Sequence, residues 1–164
     1  MKLRNIRQTV AIALSLLAGV FLSLLPLPNT LAWIRPQWVS LVLIYWVLFL
    51  PRTVGLLIAW LMGFWMDSFT GAVLGQYSLV FVLTAFLVNV LRRRLIYVST
   101  KQSITWVMVL LGLGQILLFL VEWFLGDASR WAYHGSVWGV SLLAWPLVYT
   151  LLTRGHRVVS TSIH

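Results

Sequence analysis

The chain has 164 residues, 61% of them hydrophobic and only 9% charged, with ten tryptophans and a net charge of +9. Soluble domains are about half apolar and about a quarter charged, so this composition excludes a water-soluble fold and makes lipid the expected solvent. There is no cysteine, which excludes a disulfide framework and a thiolate metal site.

Six apolar segments follow one another. The first, 10–27, sits behind the basic start MKLRNIR and is closed by PLPNT. A basic start and an apolar stretch are also the grammar of a signal peptide. The stretch is long, however, and only a poor small-x-small site follows at Thr30–Ala32, which favours an uncleaved helix. The second segment, 36–50, opens after Arg35 with Pro36 at the first helical position and ends at Pro51. The third, 54–66, follows the minimal turn PRT, so the second and third helices are expected to be antiparallel neighbours. Each has about 14 core residues, or roughly 21 Å of helix, against roughly 20 residues for a full span. They should extend past their polar ends or sit where the bilayer thins. The fourth, 77–91, is reached through DSFTGAVLG and ends in RRR. The fifth, 103–125, is the longest, and the sixth, 136–152, holds Pro146 as an expected kink. No linker is long enough for a soluble domain. The expected architecture is an all-α polytopic membrane protein, with about six transmembrane helices in one compact bundle spanning 1–164.

Charge orients this bundle. With six spans and the N-terminus inside, Lys2, Arg4, Arg7, Arg52, Arg92, Arg93, Arg94, Lys101, Arg154 and Arg157 fall on the cytoplasmic side, leaving only Arg35 and Arg130 outside. The acids Asp67, Glu122 and Asp127 all fall outside. Both termini are therefore expected in the cytoplasm. Trp33, Trp38, Trp65, Trp123, Trp131 and Trp138 lie near the outer interface, with Trp106 near the inner one. They read as an aromatic belt, or as a surface for docking another protein.

Small residues recur at four-residue spacing: Ala11, Ser15, Gly19 and Ser23 in the first helix, and Gly55, Ala59 and Gly63 in the third. Residues four apart share a face, and a small-residue face lets helix backbones approach closely. These seams pack on each other or receive a partner's helix. The first helix, being terminal, is the expected free seam, and the third the expected central helix.

The next step along the third seam is Asp67, the only acid in the first 121 positions. Gly71 and Gly75 follow it in the turn. If the second and third helices are neighbours, Arg35 and Asp67 lie at the same depth, and they read as an ion pair pinning the hairpin or as a site for an outside ligand or partner. Gln115 and Glu122 are seven apart and face one way; polar groups in a span normally face the bundle interior. Gln115 suits an interhelical hydrogen bond, and Glu122 suits the polar cluster of Arg35 and Asp67. The histidines at 134, 156 and 164 have no metal-binding spacing, and no phosphate-binding glycine loop or Ser/His/Asp arrangement occurs. No cofactor and no catalytic residue is expected.

The stretches RPQWVSLVLIYWVLFLP and GFWMDSFTGAVLGQYSL resemble the rod shape-determining MreD family. The arginine-proline before a tryptophan-bearing second helix and the aspartate-to-glycine turn carry the likeness, at Arg35, Trp38, Asp67, Gly71 and Gly75. The resemblance implies a polytopic protein of the bacterial inner membrane, belonging to the cell-elongation machinery that builds lateral peptidoglycan. It also implies a single-pass MreC-like partner, alongside the RodA glycosyltransferase and its transpeptidase, and a fold similar to the substrate-binding subunits of energy-coupling-factor transporters. A non-enzymatic scaffold is the function expected. The alternative is a small-molecule or lipid-binding subunit of a membrane transport system.

Overall fold

The computed structural model of the protein describes residues 2–25, 35–51, 53–96, 100–124 and 131–161. These form six α-helices and, among the described residues, no strand: α1 Lys2–Leu24, α2 Trp38–Phe49, α3 Leu56–Thr70, α4 Gln76–Ile96, α5 Thr100–Phe124 and α6 Trp131–Thr161. Several helices run past their apolar stretches. α1 begins in the basic start, α4 continues through the three arginines, and α3 continues through Asp67 to stop at Gly71, whose φ of 67° is left-handed. Continuing the helix keeps backbone groups bonded where water is scarce. The stretches Thr105–Phe124 and Gly135–Arg154 are long and apolar enough to cross a membrane.

α2 is the central helix. Every residue from Val39 to Leu48 is buried, as expected of a helix that is apolar on all sides. It packs on α1, α4 and α6, while α1, α3, α4, α5 and α6 close a ring around it. α3 packs most extensively on α4 and touches α1 on its other side. This corrects the expected hairpin: among the described residues, α2 and α3 are consecutive in sequence but scarcely meet. The turn between them is tight, with the Thr53 and Val54 N–H groups both donating to the Leu50 carbonyl. It nevertheless sends α3 to the periphery. The reason is the distribution of side chains. α3 has one small face, where Ala59 and Gly63 are buried, and an opposite face where Leu57, Trp60, Leu61, Phe64 and Trp65 are exposed.

Both seams are closed within the molecule, and against partners the spacing alone did not reveal. Gly63 lies so close to α4 that a β-carbon there would come within 2.2 Å of Ser78 Cα. Gly19 faces the start of α2, its β-carbon position 3.5 Å from Val39 Cα. Ser15 accepts a 2.7 Å hydrogen bond from the Trp46 indole N–H. The α1 seam therefore meets α2, which corrects the expectation that it is free. Gly55 takes no part in a close approach; it is the N-cap of α3. What α1 turns outward is large and apolar: Ile6, Val10, Leu14, Leu17 and Phe21 are all exposed. Soluble monomers rarely expose contiguous apolar surface of this extent, whereas lipid tails cover it at no cost.

Candidate functional site

Successive helices alternate in direction. Gly19 lies against Trp38, Gly63 against Ser78, and the Gln76 amide Nε2 donates to Glu122 Oε1 at 3.3 Å. The C-terminal ends of α1, α3 and α5 thus share one end of the molecule with the start of α2 and α4. The conspicuous polar residues meet at this end.

Asp67 is almost fully buried, at 1% exposure. Its partner is the beginning of α4. Oδ1 accepts from the Tyr77 N–H at 2.7 Å, and Oδ2 from the Gly75 N–H at 2.9 Å, the Ser78 N–H at 3.3 Å and the Ser78 hydroxyl at 2.8 Å. The first N–H groups of a helix have no intrahelical acceptor and carry partial positive charge, so a carboxylate there satisfies both needs. Gly75 has a φ of 101°, a conformation that brings its N–H to the carboxylate and that residues with a β-carbon seldom adopt.

Arg35 does not pair with Asp67. Its Nη1 donates to the Ser23 carbonyl at 2.7 Å and its Nη2 to the Leu25 carbonyl, so the guanidinium closes the C-terminal end of α1. The ion pair expected from the second and third helices is therefore corrected to two separate helix caps. Both residues serve orphan backbone groups at helix ends, which gives charge a structural place in so apolar a chain. A third cap repeats the device at the opposite end, where Arg92 Nε donates to the Leu48 carbonyl near the end of α2 at 2.9 Å. Nothing in the sequence singled out Arg92 from its two arginine neighbours.

α2 is short, about 18 Å at 1.5 Å per residue, and its first turn lies against Gly19, below the end of α1 at Leu24. The Gln37 N–H donates to the Ser141 hydroxyl at 2.8 Å, which in turn donates to the Val137 carbonyl at 2.6 Å. Above this turn is a partly enclosed cavity of about 80 Å³ lined by all six helices and the segment before α2. Its polar wall includes Ser23, Arg35, Gln37, Ser40, Tyr77 and Gln115. Arg35 Nε is buried here with no hydrogen-bond partner among the described residues. A stranded buried donor costs about 1–3 kcal/mol, and more when it is charged.

Of the other expected site residues, Trp38 is partly buried against the core and Glu122 is half-buried and holds Gln76. Gly71 and Gly75 shape the α3–α4 turn. Trp65 and Trp123 are exposed. Trp33, Arg52, Asp127 and Arg130 lie outside the described residues. Sequence reasoning missed Ser78, Gln37 and Ser141. A signal for Ser78 was present, since a helix that begins after a glycine needs an acceptor from elsewhere and Asp67 is the one acid nearby. Among the described residues, no group of three His, Cys, Asp or Glu side chains is placed to hold a metal ion.

The family model of the rod shape-determining protein MreD matches residues 3–155. The rod shape-determining protein MreD of Haemophilus influenzae is 29% identical over 164 residues, covering 97% of this chain and 98% of its own. No solved structure matches the chain.

Proposed function

The chain belongs to the MreD family of rod shape-determining proteins, and from that premise we propose that it is a non-enzymatic inner-membrane scaffold of the cell-elongation machinery. In this reading it binds a single-pass MreC-like protein through a transmembrane helix and supports lateral peptidoglycan synthesis by RodA and its transpeptidase. The observation that carries it is the division of labour among side chains. The buried charges are engaged as helix caps, and what the molecule offers outward is apolar helix surface. The reading keeps the fold likeness to the substrate-binding subunits of energy-coupling-factor transporters that the resemblance implies.

In the same reading all six helices span the membrane as one domain, with both termini cytoplasmic. Helix direction supports this, because Lys2, Arg4 and Arg7 of α1, Arg92, Arg93 and Arg94 of α4, Lys101 of α5, and Arg154 and Arg157 of α6 belong to one end of the molecule. Topology reporters fused after Thr30 or Gln76 should read as periplasmic, and those after Arg94 or His164 as cytoplasmic. A periplasmic signal at His164 would reverse the assignment.

The partner's helix is placed on the outer face of α3. There Trp60 and Phe64 stack at a 5.9 Å centroid distance beside exposed Leu57 and Leu61. Aromatic anchors dominate many protein contacts, and truncation of one typically costs 2 kcal/mol or more, roughly thirtyfold in affinity. Trp60→Ala with Phe64→Ala should leave membrane levels near normal, since neither side chain is in the core. Co-purification of the single-pass partner should fall steeply and rod-shaped cells should round up. Unchanged co-purification at normal levels would remove the partner from this face.

The alternative of a small-molecule or lipid-binding transport subunit draws on the cavity above α2. Sites for drug-sized ligands occupy about 300–1,000 Å³, so a cavity of about 80 Å³ does not suit a vitamin-sized substrate, and the scaffold reading is preferred.

A further inference from the structure

We propose that the cavity above the first turn of α2 binds a phosphate group, with Arg35 Nε–H as its charged donor. The guanidinium is held in place: Nη1 and Nη2 are tied to the Ser23 carbonyl of α1 and to the Leu25 carbonyl just past its end, so it cannot turn away. Its Nε–H is directed to neither carbonyl and is buried with no acceptor among the described residues. Buried charged donors are normally satisfied, and an oxyanion is the acceptor a guanidinium fits best.

The lining agrees in charge. Among the described residues that line it, Arg35 is the one charged residue and none is a carboxylate. Asp67, the carboxylate buried at this end, is consumed by four bonds to the start of α4 and is not part of the wall. Val39 and Ser40, in the first turn of the twelve-residue α2, belong to the wall, so the positive end of that helix adds to the guanidinium. Size sets the class of guest. About 80 Å³ holds roughly five waters at some 15 Å³ each, which suits a phosphate with little else. Met66, Phe81, Leu118 and Val137 supply an apolar wall. That wall favours a phospholipid headgroup over free phosphate as the source.

The test uses the full chain purified in maltoside detergent and titrated with phosphatidylglycerol, diacylglycerol or inorganic phosphate. Native mass spectrometry and thermal unfolding are the readouts. The expected result is one phosphatidylglycerol retained with a raised Tm, and no such effect of diacylglycerol, which lacks the phosphate. Phosphate matching phosphatidylglycerol would keep the site and make the free ion its source. Diacylglycerol acting equally, or no response to any of the three, would overturn the proposal. Arg35→Lys keeps the charge but loses Nε–H, and should weaken phosphatidylglycerol binding about tenfold or more. Val137→Phe fills the cavity from α6 and leaves the Arg35 side chain itself unchanged, and should abolish binding while the helical circular-dichroism signal persists. Undiminished binding in a folded form of either variant would also overturn the proposal. Should neither variant fold, the three titrations of the unmodified protein decide.

Discussion

Gly63→Ala is expected to remove most of the folded protein from the membrane, although it adds a single methyl group. A β-carbon at this position would lie 2.2 Å from Ser78 Cα, 2.5 Å from Ser78 N and 2.8 Å from the Tyr77 carbonyl carbon. All three are backbone atoms of the first turn of α4, so no side chain can rotate away to make room. Alanine gains about 1 kcal/mol over glycine in helix propensity. The steric cost outweighs this, because overpacking a dense core costs about 1–3 kcal/mol even where side chains can adjust. Here α3 must move off α4, and the contact between Asp67 and the start of α4 goes with it. Gly19→Ala is the control. Its β-carbon would meet Val39 Cα at 3.5 Å, an ordinary contact, so its level should match the unmodified protein. Quantitative immunoblotting of membranes and the Tm of purified protein measure both. Equal levels of the two variants would show that α3 and α4 do not approach this closely.

Asp67→Ala should be nearly as damaging. It strands three backbone N–H groups and the Ser78 hydroxyl in a buried place. Stranded donors cost about 1–3 kcal/mol each and do not add fully, so a loss on the order of 4 kcal/mol is expected. Asp67→Asn keeps one acceptor oxygen but turns an NH₂ group toward other donors, and should recover only part of the loss. Arg35→Ala also destabilises, through the α1 carbonyls that it caps. The two residues share no partner, so the double variant should lose the sum of the single losses. An Arg35–Asp67 ion pair would give the opposite result, a double variant milder than either single one. Urea or thermal unfolding of the four proteins in one detergent therefore tells the two arrangements apart.

Much of this architecture was legible in the amino-acid order. Apolar runs interrupted by prolines, glycines and arginines placed the six helices. The basic residues were already gathered at alternate helix ends, because each apolar run reverses the chain. Four-residue spacing of small residues marked Gly19 and Gly63 as points of close approach, since helix geometry makes that spacing a single face.

Tertiary structure alone decided which helices meet those faces. Helices apolar on several sides carry little record of their neighbours, and a short turn after α2 constrains where α3 begins but not what it packs against. The uniform apolarity of α2 draws it to the centre, and α4 rather than α2 then receives the α3 seam. The same placement reassigns the charges. Asp67 is aimed at N–H groups eight to eleven residues further on, and Arg35 at carbonyls ten to twelve residues back. Periodicity records which way a residue faces on its own helix. It cannot record which orphan backbone groups a neighbouring helix will present there, because those groups exist only once that helix ends beside it.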